Sequence, residues 1–147
     1  MGFRNYMLDG FSGAHSSDGL SSFNKDIILG TPKAIIWMLG MNDADGGAVN
    51  STWKTAFDSM VSSCSNNGIQ FICCTIPNVP DRDHTYKNTY IRNSGVRYID
   101  VAVALGANTA NSTWYDGLLG LDNVHPTDSG AMYIALTLLN NIASLTI

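Results

Sequence analysis

The chain has 147 residues, the length of a single domain, and its 45% apolar content is enough to form a buried core. Charge is sparse: 8 basic and 12 acidic side chains, every acid an aspartate, leave a net charge of -4. No basic cluster offers an electrostatic footprint for nucleic acid or an anionic membrane, and no apolar run reaches the roughly 18 residues that a membrane span requires. No secretory pattern opens the sequence, so the expected compartment is cytoplasmic unless an upstream signal segment has been lost, in which case the protein is secreted.

In chain order, Tyr6 to Leu8 reads as a short strand running into a glycine- and serine-rich loop, Asp9 to Gly19. Ala34 to Leu39 is a continuous apolar run between the breaker Gly30-Thr31-Pro32 and Gly40, the pattern of a strand covered on both faces and central in a parallel sheet. Thr52 to Asn66 carries Trp53, Phe57, Met60, Val61 and Cys64 at helical spacing, which predicts an amphipathic crossover helix with its large apolar residues in the core. Gln70 to Ile76 is the next strand, Tyr86 to Asn93 a short helix and Val96 to Val103 a further strand. A long irregular stretch from Ala104 to Asn123 leads to a last helix from about Ser129 to Ser144. That helix is capped by Thr127 or Asp128, with Ala135, Leu138, Leu139 and Ile142 on one side.

Alternation of elements at this length predicts one α/β domain, a three-layer sandwich with a parallel sheet and right-handed crossovers. Ligand chemistry in such folds lies beyond the carboxyl ends of the strands. Cys73 and Cys74 are adjacent on a strand and point to opposite faces, so the three cysteines are expected to be small buried hydrophobes. Asn50-Ser51-Thr52 and Asn111-Ser112-Thr113 fit the glycosylation acceptor pattern, which is common by chance.

Three polar constellations fall where the chemistry should be. Gly40-Met41-Asn42-Asp43 follows the most apolar strand, and its asparagine can aim an amide N–H at a site above the sheet; an Asx turn ending the strand is the plainer alternative. Asp122-Asn123-Val124-His125-Pro126 precedes the final helix. A carboxylate three residues before a histidine can accept the Nδ1 hydrogen bond and leave Nε2 as a base, while a capped surface loop would explain the same residues. Phe11-Ser12-Gly13-Ala14-His15-Ser16 follows the first short strand, and Gly13 could present an unobstructed backbone N–H to an oxyanion.

In this order and at about this spacing, the three segments resemble conserved blocks of the GDSL-type, or SGNH, hydrolase superfamily, and the resemblance covers nearly the whole chain. It implies a flavodoxin-like fold, ester substrates and no cofactor or metal. His125 would be the general base, Asp122 its orienting carboxylate, and Gly13 N–H with the Asn42 side chain two oxyanion donors. Family members place their nucleophilic serine in a Gly-Asp-Ser block after a first strand. No such block occurs here, so the expectation is a single domain over residues 1–147, N-terminally incomplete, with the first strand missing. The upstream piece could lie on a separate chain or outside the given sequence; a truncated product could pair its sheet edges in an oligomer; or the chain could be a reduced, noncatalytic relative.

Trp114 and Tyr115 could form an aromatic wall for an acyl group or sugar ring, or could anchor the long loop; Asp116 is expected to face water. His15 lies where it could touch substrate or simply belong to a surface loop. His84, near Asp81 and Asp83, is expected in a solvated turn rather than a metal site. The expected substrate is a small-molecule or carbohydrate ester. The alternative is a glycan-binding or assembly protein built on a reduced hydrolase fold. No Gly-x-Gly-x-x-Gly or phosphate-loop pattern favours a nucleotide-binding fold.

Overall fold

Parallel strands buried on both faces need helical layers above and below them, and the sequence supplies both. A computed structural model describes residues 8, 10, 12–30, 32–45, 47–109 and 112–143. Its sheet has three parallel strands in the order β1 (Ala34–Trp37), β2 (Gln70–Cys74) and β3 (Arg97–Ile99). Ile35, Ile36 and Trp37 lie opposite Phe71, Ile72 and Cys73, while Cys73 and Cys74 lie opposite Tyr98 and Ile99.

Alternation along β2 divides the core in two. Phe71 and Cys73 join Trp37, Phe23, Ile91 and the Trp53, Phe57, Met60 stripe of helix α3 (Ser51–Asn66). Ile72 and Cys74 join Ile99, Val101, Leu105, Trp114 and Ile142 on the opposite side. The first layer also holds α1 (Ser16–Ser22), which continues through a π-helical turn at Phe23–Ile27 into α2 (Ile28–Gly30), and α4 (Thr85–Asn93). The second holds α5 (Val101–Ala104) and α6 (Asp128–Ile142). The expected three-layer α/β sandwich is therefore the observed fold. No helix among the described residues is long and apolar enough to cross a membrane.

Several expectations are corrected. Of the first short strand, Tyr6 and Met7 lie outside the described residues, as does Asn111 of the second acceptor pattern. The loop drawn to Gly19 already turns helical at Ser16. Gly19 has poor helix propensity, yet a Cβ there would stand 2.1 Å from Leu39 Cδ1, so the glycine lets the helix lie close against the segment following β1. Among the described residues the Ala34 run lies at the edge of the sheet, where β1 pairs with β2 alone and Ile36 and Met38 are 41% and 48% exposed. Apolarity marked burial of part of the strand but could not say which neighbour supplied it.

The strand read over Val96 to Val103 stops at Ile99, because Asp100 accepts from Val103 N (3.3 Å) and starts α5. Arg92 holds the same carboxylate through Nη2 and Nε, at 2.8 and 3.0 Å, and Thr75 Oγ1 donates to it at 2.8 Å. On α6 the stripe that meets the core is Ile134, Leu138 and Ile142, whereas Ala135 and Leu139 face outward. Thr127 is the cap, accepting from Gly130 N at 3.0 Å. The three cysteines are free and buried, as expected, and burial pushes the thiols of Cys64 and Cys74 up to about 11 and about 12.

Gly130 shows how tightly α6 is seated. A Cβ at this position would lie 2.1 Å from the Leu118 carbonyl oxygen, a backbone atom that cannot swing away. Gly130→Ala should therefore destabilise the protein by about 1–3 kcal/mol, the usual range for overpacking. Urea-denaturation midpoints with an unchanged slope would measure it, and a midpoint equal to the wild type would refute the close seating.

Candidate active site

Two groups of polar side chains stand near the carboxyl end of the sheet. The first is built on the turn after β1. Gly40 has φ +131°, and a Cβ there would lie 2.4 Å from Ile76 Cδ1 and 2.6 Å from Trp53 Nε1, so only glycine lets the chain turn directly above the core. Asn42 follows. Its Nδ2 donates to the Ala14 carbonyl at 3.0 Å, and its Oδ1 accepts from Arg82 Nη1 at 3.1 Å. An amide nitrogen carries two hydrogens, so one N–H remains for a ligand. Gly13 precedes Ala14, is exposed, has φ +77°, and has nothing within 4 Å of where a Cβ would stand. The Asn42–Ala14 bond thus ties together the segments carrying the two expected oxyanion donors.

Asp43 and Asp45 do structural work beside them. Buried Asp43 accepts from Ser16 N at 3.0 Å and from Ser16 Oγ at 2.9 Å, with His15 Nδ1 3.7 Å away. Asp45 accepts from Asn50 N at 2.8 Å, and its Oδ2 stands 3.0 Å from Lys87 Nζ. Asn50 donates to the Ala44 carbonyl and caps α3 by accepting from Trp53 N, so its amide is committed to the fold.

Lys87 is fully buried, and Asp45, the Asp43 carbonyl and His84 Nδ1 surround its ammonium. The Asp45 carboxylate, 3.0 Å away, pairs with it as an ion, although burial pulls its pKa below the usual lysine value against the opposing pull of Asp45. His84 must then accept at Nδ1 and carry its hydrogen on Nε2, which faces Met41 Sδ at 3.3 Å. The expected solvated turn is therefore wrong at His84. Asp81 and Asp83 are exposed, but the histidine between them and α4 is buried, filling the space beneath the Asn42 loop. No metal-binding cluster occurs among the described residues.

The second group is local. Asp122 Oδ2 lies 2.7 Å from His125 Nδ1, while Oδ1 accepts from Val124 N at 3.0 Å and His125 N at 2.9 Å. The two backbone N–H donors, then the imidazole, hold the Asp122 carboxyl well below the usual carboxylate range. Asn123 adopts φ 59° to close this turn, and the His125 side chain is 76% exposed, leaving Nε2 accessible. Gly120 N donates to the His125 carbonyl at 2.7 Å, and Leu119 bridges to Pro126.

No described hydrogen bond or ion pair joins the two groups directly. They share supports instead: Met41 from one loop and Leu118 and Leu119 from the other pack on the same apolar cluster. Trp114 is buried and donates from Nε1 to the Asn78 carbonyl at 2.7 Å, so it anchors the long loop and is not an open substrate wall. Tyr115 is 58% exposed, and Asp116 and His15 also face outward. Asn78, Arg82, His84 and Lys87, which support the Asn42 loop and the long loop, were not foreseen in these roles; the polar loop after β2 was the available signal, but nothing local showed that it would be buried.

No protein-family model matches the sequence, and no curated protein matches it. Solved structures do match. A lipolytic protein of the G-D-S-L family from Desulfitobacterium hafniense aligns over 87% of this chain and 75% of its own, with 19% identity and a TM-score of 0.72. The chain has the fold of the GDSL-type hydrolases. A GDSL-like lipase from Bacteroides thetaiotaomicron matches with TM-score 0.70 and 19% identity, over 90% of this chain and 72% of its own. An acetylxylan esterase from Geobacillus stearothermophilus gives 0.68 and 20%, over 91% and 70%. The catalytic mutants of that esterase replace a serine, an aspartate and, three positions after the aspartate, a histidine.

Burial, then the charges of Lys87 and Arg82, drive the His84 imidazole down to about 3. A histidine ordinarily near 6.5 that stays neutral in the fold binds a proton only in the unfolded chain between those values. His84 should therefore cost stability as the pH falls from about 6 to about 4, by roughly 1.4 kcal/mol per pH unit. Urea titrations across that window should give a flatter dependence for His84→Gln than for the wild type, and parallel slopes would disprove the neutral assignment.

Proposed function

We propose that the chain is a serine ester hydrolase, or the part of one that supplies its base, orienting carboxylate and oxyanion donors. The observation that carries this reading is the Asp122–His125 pair, with Nδ1 engaged at 2.7 Å and Nε2 left accessible. Its support is the fold, together with the aspartate-to-histidine separation of three that the acetylxylan esterase mutants share.

His125 Nε2 takes the proton of a serine Oγ as that oxygen bonds to the ester carbonyl carbon. Asp122 steadies the imidazolium, and the carbonyl π electrons move onto an oxygen received by the free Asn42 N–H and by Gly13 N–H. Collapse of the tetrahedral intermediate expels the alcohol, which takes the proton from His125, and water then releases the acyl group by the same steps. Asn42 is fixed before substrate arrives, so its donor need not reorganise during reaction.

The serine is not Ser16, which is buried and committed to Asp43. A piece complementary to this chain, whether an upstream segment or a separate chain, would supply it. The substrate class is a small acyl or acetyl ester, including acetylated carbohydrate, with Tyr115 and His15 as exposed contacts for the alcohol portion. Trp114 is left out of that set because its indole is spent on Asn78. The lack of an assigned nucleophile favours one second reading, a noncatalytic protein that binds an acylated glycan or joins an assembly.

A fluorophosphonate probe, which reacts with activated serines, separates these. Labelling of this chain, or of a partner bound to it, supports catalysis; no labelling with retained binding of acylated glycan supports the second reading. In the labelled species Asn42→Ala should lower the hydrolysis of p-nitrophenyl acetate about a hundredfold, the equivalent of about 3 kcal/mol of transition-state stabilisation, with the fold retained. An unchanged rate would remove Asn42 from the site.

A further inference from the structure

An asparagine amide can be turned over with little change in shape, so its neighbours decide which atom faces where. Here the choice is forced. The Ala14 carbonyl can only accept and the Arg82 guanidinium can only donate, which puts Nδ2 against Ala14 and Oδ1 against Arg82. The same Arg82 Nη1 also donates to the Met41 carbonyl at 3.2 Å. One nitrogen therefore grips both the side chain of Asn42 and the backbone immediately before it.

Two further features make this contact more than packing. No carboxylate forms an ion pair with Arg82 among the described residues, whereas Lys54, Lys87 and Arg92 each have one. Its charge is therefore not tied up in a direct ion pair. A cation bonded to an amide oxygen draws density toward that oxygen and strengthens the N–H donors at the other end. Arg82 is also placed by a rigid turn: it exchanges backbone hydrogen bonds with Val79 at 3.1 and 2.9 Å, and the neighbouring His84 N donates to Asn78 Oδ1 at 2.7 Å.

We infer that Arg82 is a positioning residue for ester hydrolysis, setting both the orientation of the Asn42 amide and its strength as an oxyanion donor without touching substrate. This rests on the reading of Asn42 as that donor. The role is distinct from holding the fold together, because none of the Lys87, Asp45 and Asp43 contacts of the first group runs through Arg82.

The test reads the Asn42 side-chain amide directly in the ¹⁵N-labelled chain, with its proton pair assigned by loss in Asn42→Ser. In Arg82→Met the pair should shift and lose rigidity on the nanosecond scale while the three tryptophan indole signals stay in place. Arg82→Lys should move the pair less, but still move it, since one shorter ammonium cannot keep both contacts; this variant decides the matter if Arg82→Met does not fold. An Asn42 amide identical to the wild type in a folded variant would overturn the proposal. In the species labelled by the fluorophosphonate probe, Arg82→Met should lower kcat for p-nitrophenyl acetate about tenfold or more with KM within about twofold, and Arg82→Lys should recover part of the loss. Equal kcat in wild type and Arg82→Met would also overturn it. If neither the wild-type chain nor a species labelled by the fluorophosphonate probe turns over this ester, that counts against the hydrolase reading, and the amide signals still decide the role of Arg82.

Discussion

Asn78, only 3% exposed, meets its hydrogen-bonding requirements by joining segments that are distant in sequence. Its N–H donates to the Ala107 carbonyl, its Nδ2 to Thr109, its Oδ1 accepts from His84 N, and its carbonyl accepts from Trp114 Nε1. Buried backbone and amide groups without partners are costly, so the loop after β2 can sit inside the protein only if these bonds form together. One side of that loop carries Arg82 and His84 beneath Asn42. The other side pins the long segment leading to Asp122 and His125. The two polar groups are thus referred to one strand end even though they do not touch.

The ammonium of Lys87 imposes a similar constraint on the first group. A buried cation needs its full set of acceptors, and removing one member of a buried pair typically costs 3–5 kcal/mol because the other is left uncompensated. Asp45 answers Lys87 while also accepting from the N–H of Asn50, whose side chain caps α3. The start of α3, the turn after β1 and the first turns of α4 therefore share one charge balance. His84, held neutral by burial and then by the same ammonium, packs under Met41.

These two arrangements explain what could be read from the sequence. The Trp53, Phe57, Met60 stripe repeats at helical spacing, and Phe71 to Cys74 is an unbroken apolar run, so α3 and β2 were legible from local pattern. Asp122 and His125 were legible because three residues of separation in a proline-closed turn suffice to bring them together. Arg82, His84 and Lys87 were not, since their partners lie about forty residues away on the other side of β2 and a polar loop looks the same whether it is solvated or buried. Trp114 illustrates the same limit. Its aromatic character suited a substrate wall or an anchor equally, and only the position of the Asn78 carbonyl decides between them.

The exposed position of His125 clarifies how its geometry is held. An ion pair or hydrogen bond between side chains 76% and 54% exposed contributes little by itself, because water competes for both partners. What fixes the carboxylate is its other oxygen, bound to two successive backbone N–H groups in a turn that Asn123 closes in the left-handed region. The turn is fixed in turn by Gly120 and by the Leu119–Pro126 bridge. Asp122 therefore meets the imidazole already oriented, and the histidine needs only to settle against it. Asn42 reaches the same preorganisation by the opposite route, through long-range contacts with Ala14 and Arg82. In the proposed hydrolase, a base set by local backbone can remain in water until a substrate covers it, whereas a donor meant to meet developing charge gains from being fixed by buried structure beforehand.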